Sequence, residues 1–312
     1  MSTLQVHLQT YLELRRQLGY RLRAHASQLT DFVAFIQRRR ERRITPALAV
    51  EWATQPKTGH SAYFSLRLSM ARGFAEYLRT KDGRTELIPL GIIPFRPERR
   101  LPYLYTQADV LRLLAAAEAL SPRPDYLLRP WTYRTLLGLL ATTGLRIGEA
   151  VNLKQADVNL SDGIVTIRGT KFGKSRIVPV HSSTQSALAR YAARRSVDPG
   201  SLTCPYYFVG AGGRQLRKST VQRQFRRLCV VVGVHNAKGD RAPRLHDFRH
   251  SHAVRALIHG YRSGQDTELL MPVLSTFLGH SHVRCTYWYL TACPELMQEA
   301  VNRLETHWEI RS

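Results

Sequence analysis

The sequence predicts a mainly α-helical protein with one small antiparallel β-sheet, an α+β architecture. Apolar residues recur at the spacing of amphipathic helices through most of the 312 residues. Two short β-branched runs, 164–167 and 175–180, break this pattern and predict two strands, and an apolar run at 206–209 is a candidate third strand. A segment rich in proline and charge, 91–104, divides the chain. The sequence therefore predicts two domains.

Residues 1–90 are predicted to form a small all-α domain. Gly19 follows the first apolar stripe as a helix stop. The second stripe ends in an arginine-rich run at 38–43. Such a run is typical both of a solvated helix end, where the helix dipole favours cations, and of a contact to a phosphate backbone, and the sequence leaves both open. The predicted helices cover residues 4–18, 25–40, 46–54 and 60–79.

Residues 91–104 are predicted to be an inter-domain linker, because each proline restricts itself and its preceding residue to extended backbone. The second domain, 105–312, opens with residues close to a capping box at 106–109. Its predicted helices cover residues 110–120, 131–140, 182–195, 219–232, 246–259, 267–278 and 294–307, with a further helix beginning at 146–149.

Charge is the strongest compositional signal. Lys and Arg number 46 against 23 Asp and Glu, and the net charge of +23 predicts a polyanionic partner. Hydrophobic residues make up 44% of the chain, which indicates folded cores rather than a disordered basic tail. No stretch approaches a membrane span, and the N-terminus lacks the form of a signal peptide. Four cysteines without a Cys-x-x-Cys pair predict free thiols in a reducing cytoplasm.

The residues with the clearest chemistry lie between 245 and 289. His246 and Arg249 stand at His-x-x-Arg spacing, His280 ends a Leu-Gly-His triplet, and Tyr289 lies nine residues beyond it. Attack on a phosphodiester builds charge on its non-bridging oxygens, which a planar, permanently charged arginine fits bidentately. Histidine shuttles protons near neutral pH, and tyrosine can form a covalent intermediate. This set predicts phosphate chemistry.

Two further segments supply the groups that such chemistry still needs. Arg146 follows Thr-Gly-Leu and precedes Glu149, and Lys171 lies between the two predicted strands. With these residues the chain resembles the tyrosine recombinase (phage integrase) family over roughly residues 105 to 300. The family's motifs are Thr-Gly-x-Arg with a following Glu, a Lys in a β-hairpin, His-x-x-Arg, Leu-Gly-His and a nucleophilic Tyr nine residues later. All five occur here in order.

The resemblance implies a site-specific DNA recombinase that acts through a covalent 3′-phosphotyrosyl intermediate. Tyr289 would attack the scissile phosphate, and His246 would manage the phenol proton. Arg146 and Arg249 would clamp the non-bridging oxygens. The implied catalytic residues are Arg146, Lys171, His246, Arg249, His280 and Tyr289.

The remaining roles also follow from the resemblance. Lys171, just before the hairpin turn, would protonate the leaving 5′-oxygen, with Lys174 as the alternative. His280 would add a hydrogen bond, and Glu149 would orient the basic residues. No metal or cofactor is expected, because the arginines do the electrostatic work assigned elsewhere to Mg²⁺.

The resemblance also implies partners and an assembly. The first domain corresponds to a SAM-like helical core-binding domain, and the expected partner is double-stranded DNA. The assembly on DNA would be a homotetramer, or a hetero-oligomer with sister recombinases, in which the C-terminal helix docks on a neighbouring protomer. Neither a membrane nor a small-molecule substrate is expected.

Other interpretations of these residues are weaker. The segment 169–175 has one residue too few between its glycines for a Walker A loop and leads into a strand. Two possible zinc clusters, one at His246 with His250 and one at 280–285, lack convincing further ligands. Spacing from His280 selects Tyr289 over Tyr287 as nucleophile. Packing or other unexceptional roles are predicted for Tyr287, Trp288, His250, His252 and His282.

The biological role is less determined than the chemistry. Departures from the family pattern, such as Phe172 after the lysine, favour integration, excision or transposition of a mobile element in a prokaryotic cytoplasm. A Xer-type resolution enzyme, a type IB topoisomerase and a catalytically silent DNA-binding protein are the alternatives.

Overall fold

The computed structural model describes residues 3–309 apart from 21, 57–58, 96–100, 170–174, 235–241 and 281. It divides into two compact units, Met1–Arg100 and Leu101–Ser312. Helices dominate both units, and one antiparallel sheet of three short strands lies in the second, which confirms the predicted fold class. Within the described residues, every helix is too short or too polar to traverse a bilayer.

The first unit is a helical bundle with its own core. Phe32, Trp52 and Phe74 are completely buried at its centre. Thr45 caps the third helix by accepting a hydrogen bond from the Leu48 amide, and a proline follows at the first helical position, where no amide hydrogen is needed. The helices are α1 (Thr3–Gln17), α2 (Arg23–Arg38), α3 (Pro46–Thr54) and α4 (Ser61–Arg79).

A buried arginine also holds this first unit together. The guanidinium of Arg67 lies 3.8 Å from the centre of the Trp52 ring. It donates hydrogen bonds to Gln28 Oε1 at 2.7 Å and to the Trp52 carbonyl oxygen at 2.9 Å. A buried charge is tolerated only with such partners, so Arg67 ties α2, α3 and α4 to one another.

The second unit is built around helix α6. This helix buries residues on nearly every side and packs against α5, α8 and α10. The predicted capping box at Thr106 and Asp109 is present at the start of α5. The helices are α5 (Gln107–Glu118), α6 (Arg129–Thr143), α7 (Ile147–Ala150), α8 (Ser182–Ser196), α9 (Lys218–Val231), α10 (Asp247–Arg262), α11 (Thr267–Leu278), α12 (Arg284–Ala292) and α13 (Pro294–Glu309).

The sheet has the order β1-β2-β3 and is antiparallel throughout. Its strands are β1 (Val158–Asn159), β2 (Ile164–Ile167) and β3 (Arg176–Pro179). Ile167 pairs with Arg176 at the end of the register between β2 and β3.

The prediction of a strand at 206–209 was wrong. The third strand is β1, and residues 206 and 209 form only isolated bridges, with Lys154 and Gln215. Tyr207, Phe208 and Val209 are all buried in succession. A short apolar run of this kind does not distinguish a strand from an irregular core segment, because periodicity is its only local signal.

Candidate active site

A tight turn after α6 places the first predicted arginine. Gly144 ends the helix at φ +60°, and a Cβ there would lie 3.0 Å from a methyl carbon of Leu278, so glycine suits both the backbone and the space. Arg146 then stands at the N-cap of α7. Its Nη1 donates to Glu149 Oε1 at 2.9 Å and its Nη2 to the Gly279 carbonyl oxygen at 3.1 Å. The side chain keeps 38% of its surface exposed, so it is held but still accessible.

Arg249 lies in the first turns of α10 and is only 1% exposed. Its Nη1 donates to the Gly144 carbonyl oxygen at 3.1 Å, while its Nη2 has no hydrogen-bond partner among the described residues. Burial, reinforced by the charge of Arg146, lowers the pKa of Arg249 to about 10. A buried cation with an unused donor favours an anion, which would supply both the missing charge and the missing acceptor.

The two predicted catalytic histidines lie near these arginines. His246 stands at the start of α10 with one side open to solvent, and desolvation followed by the charge of Arg249 lowers its pKa to about 4. His280 follows α11, and its Nδ1 lies 2.8 Å from Thr286 Oγ1. Desolvation and the same arginine lower the pKa of His280 to about 3. A lowered pKa favours the neutral imidazole at pH 7, and the neutral ring is the form that can accept a proton.

Tyr289 completes this group from helix α12. It is 2% exposed, and its ring centre lies 6.2 Å from that of His280 and 5.4 Å from that of His250. Burial raises the pKa of the Tyr289 phenol, and the charge of Arg249, its side-chain hydrogen bond to the phenol and the charge of Arg146 act in the opposite direction. The phenol therefore lies in the field of both arginines within a single chain.

Lys171 is the predicted catalytic residue whose position is not described, since it lies at 170–174, outside the described residues. The other predicted side chains are brought into one cluster from four places in the chain: the α6–α7 turn, the start of α10, the end of α11 and α12.

Glu149 lies beneath this cluster with an arginine that sequence reasoning missed. Burial acts to raise the pKa of Glu149, but hydrogen bonds and charge from Arg176 and Arg146 outweigh it and hold the pKa below the usual value. Arg176 contacts both carboxylate oxygens, at 3.1 Å and 2.8 Å. The pattern of alternating side chains in β3 marked Arg176 as a strand residue, but nothing local indicated its partner 27 positions earlier.

His250 is a second residue whose surroundings differ from expectation. Predicted to be unexceptional, it lies 4.8 Å from the His246 ring and 5.2 Å from the Trp288 ring, measured between ring centres. Its buried Nδ1 has no hydrogen-bond partner among the described residues. The prediction that Tyr287 is a packing residue was wrong, because 51% of its surface is exposed.

The second unit brings together the predicted arginines, histidines and tyrosine, the set of side chains that defines the class of tyrosine-type site-specific recombinases. Residues 104–295 match the family model described as "Phage integrase family", and the chain belongs to that family.

Comparisons over the whole length agree with this assignment. The chain is 46% identical over 314 residues to the putative integrase/recombinase y4rB of Sinorhizobium fredii, with 100% of both chains covered. Its fold is similar to that of the Tn1549 transposon integrase in complex with transposon right end DNA, at a TM-score of 0.66 and 17% identity, covering 96% of this chain and 98% of that one. It is also similar to lambda integrase in a tetramer bound to a Holliday junction, at a TM-score of 0.59 and 19% identity, covering 90% and 78%.

Proposed function

We propose that this recombinase cleaves and rejoins double-stranded DNA through a 3′-phosphotyrosyl intermediate formed on Tyr289. The observation that carries the proposal is the buried phenol beside Arg249, whose Nη2 lacks a partner among the described residues. A phosphate oxygen placed there would accept the unused hydrogen bond. The two arginines would then stabilise the negative charge that grows during displacement.

Cleavage exchanges one bond to phosphorus for another and moves two protons. The Tyr289 oxygen forms a bond to phosphorus, the bond from phosphorus to the 5′-oxygen breaks, and the phenol proton passes to neutral His246. The leaving 5′-oxygen takes a proton, for which the family resemblance suggests Lys171. Arg146 and His280 would hold the non-bridging oxygens.

Rejoining is the reverse of cleavage. A 5′-hydroxyl attacks the phosphotyrosine, and the Tyr289 oxygen leaves and regains its proton. The phosphodiester's energy is kept in the protein–DNA bond, so the exchange needs no external energy source. We expect cleavage to proceed in EDTA, with the arginines in the electrostatic role that Mg²⁺ plays elsewhere.

The proposed partner and assembly rest on charge and on the relatives. A net charge of +23 favours a polyanion, and the similar structures named above include a transposon integrase on transposon end DNA and a tetramer on a Holliday junction. Integration, excision or transposition of a mobile element in a prokaryotic cytoplasm is the role we favour, supported by the relative named integrase/recombinase. Resolution of the Xer type is the alternative.

The C-terminal helix is proposed to dock on a neighbouring protomer. In this chain α13 lies on its own unit, with Leu296 buried, and Arg262 of α10 pairs with Glu295 and Glu299. The paired Arg262 and Glu295 are more than half exposed, and solvent screens such a pair, so it would release readily. Met297 remains exposed on the same helix, available to a partner.

A covalent-trapping experiment tests the chemistry and selects a target site at the same time. A library of duplexes with a randomised centre and a nick beside it is incubated with the protein in EDTA, and adducts are separated on a denaturing gel and sequenced. A selected duplex should then trap wild-type protein and not Tyr289→Phe. Tyr287→Phe, two positions away and exposed, is the matched control and should trap DNA normally. Adducts formed by Tyr289→Phe would contradict the assignment of the nucleophile.

A further inference from the structure

One buried carboxylate serves two arginines in the site. Glu149 Oε1 accepts from Nη1 of Arg146 at 2.9 Å and from Nη1 of Arg176 at 3.1 Å. Its Oε2 accepts from the Arg146 backbone amide at 3.0 Å and from Nη2 of Arg176 at 2.8 Å. Arg176 is therefore bidentate on Glu149, whereas the Arg146 side chain uses only one of its nitrogens there.

The same arginine also fixes the end of α11. Nε of Arg176 donates to the Phe277 carbonyl oxygen at 2.9 Å. Gly279, at φ +69°, lies so close that a Cβ built on it would be 2.6 Å from Nη1 of Arg176. His280 is the next residue. The Arg176 side chain is only 10% exposed, and its hydrogen bonds go to Glu149 and the Phe277 carbonyl oxygen rather than to solvent.

Charge explains why this second arginine matters for the first. Glu149 carries one negative charge, and a buried carboxylate needs full compensation. Arg176 on β3 makes the buried, bidentate ion pair with Glu149 and so neutralises most of the carboxylate charge. Arg146 makes a single side-chain contact to Glu149 and stays 38% exposed, so its positive charge is available to a phosphate. Without Arg176, the carboxylate would have Arg146 as its remaining guanidinium partner and would draw it into a bidentate pair, away from a phosphate.

We infer that Arg176 is a positioning residue for the cleavage step: it occupies Glu149 so that Arg146 can clamp the phosphate, and it holds the end of α11 that places His280. This inference rests on the proposed function. It assigns Arg176 no contact with DNA.

The test compares single-turnover adduct formation on the selected nicked duplex with binding of the same duplex. Arg176→Met should slow adduct formation roughly 100-fold, the scale expected when a catalytic group is displaced by about 1 Å, while the Kd for DNA changes little. Arg176→Lys should also be slow, because one ammonium cannot hold both carboxylate oxygens and a carbonyl oxygen in that geometry. Arg134→Met is the control: Arg134 pairs with Glu118 in the same unit, through a single and more exposed contact, and this variant should react at the wild-type rate.

Rescue distinguishes positioning from simple structural support. Adding Glu149→Gln to Arg176→Met removes the negative charge that would capture Arg146. The double variant should therefore form adducts at least about tenfold faster than Arg176→Met alone. Were Arg176→Met not to fold, Arg176→Lys with and without Glu149→Gln provides the same comparison. A folded Arg176 variant that reacts at the wild-type rate, or a double variant no faster than the single, overturns the inference. Wild-type protein that forms no adduct contradicts the proposed function itself, and with it the basis for the positioning role.

Discussion

Replacing Gly279 by alanine should damage both stability and catalysis. The residue adopts φ 69° and ψ 48°, a left-handed conformation that costs a residue with a Cβ about 1–2 kcal/mol. The new methyl group would also lie 2.6 Å from Nη1 and 2.8 Å from Cζ of Arg176, too close for either to stay in place. If the guanidinium gives up its bond to the Phe277 carbonyl oxygen, a further loss of about 1.5–3 kcal/mol follows.

Urea denaturation and adduct formation measure the two consequences separately. Gly279→Ala should lower the free energy of unfolding by roughly 2.5–5 kcal/mol, the sum of the two contributions. The remaining folded protein should form adducts slowly, because Arg176 and the adjoining His280 are displaced. Gly148→Ala is the control: a Cβ there meets nothing within 4 Å and the backbone is helical, so stability should be unchanged or higher by about 0.5–1 kcal/mol. A Gly279→Ala protein as stable and active as wild type would show that the contact between Gly279 and Arg176 supports neither the fold nor cleavage.

Three further perturbations follow from the structure. Burial lowers the pKa of His252 to about 4 in the folded protein, against about 6.5 in the unfolded chain. The contribution of neutral His252 to the free energy of unfolding is therefore present above pH 6.5 and is lost as the pH falls toward 4. His252→Phe keeps an aromatic ring stacked on Phe277, and urea denaturation at pH 7 and pH 5 should show that its free energy of unfolding falls by about 1–2 kcal/mol less than that of the wild type. An equal decrease in both proteins would contradict this. Arg67→Met should destabilise the first unit by about 2–4 kcal/mol, seen as faster proteolysis of α1 to α4, and unchanged proteolysis would show that the Trp52 contacts contribute little. Arg249→Lys should slow adduct formation roughly 100-fold, because lysine cannot reach both the Gly144 carbonyl oxygen and a phosphate; a wild-type rate in single-turnover assays would argue against the clamp.

Local sequence pattern predicted the regular elements of this chain well. The strand at 164–167 has the predicted bounds, and helices such as α3 and α11 coincide with the predicted ranges. These elements carry their own signals: Pro46 and a threonine cap for α3, an aspartate cap and a left-handed glycine for α11.

Two elements that depend on tertiary contacts, α12 and β1, were not predicted from the sequence. Helix α12 was not expected as a helix, because threonine, tyrosine, tryptophan and cysteine at 285–288 are weak helix formers. Its order comes from packing, with Thr286 and Tyr289 buried. The strand β1 is only two residues long, too short for a periodic signal.

The candidate catalytic residues could be predicted from motifs in the sequence, but the residue that supports them, Arg176, could not. Tyr289, Arg146, Arg249 and the two histidines were identified from spacing within the family's motifs, and the structure brings these residues together. Arg176 was not identified, because its role depends on Glu149 and on the Phe277 carbonyl oxygen, 27 and 101 positions away. Contacts of this kind become visible only when the chain is folded.

The claim that Tyr289 attacks a phosphate held by Arg146 and Arg249 is tested most directly by locating the DNA on the protein. Adducts trapped in EDTA on the selected nicked duplex are digested with protease and nuclease, and the modified peptide is sequenced by mass spectrometry. We expect a nucleotide linked through its 3′-phosphate to the Tyr289 oxygen. A nucleotide on Tyr287, His280 or Cys285, or a 5′-phosphate linkage, would contradict attack by Tyr289 on the scissile phosphate.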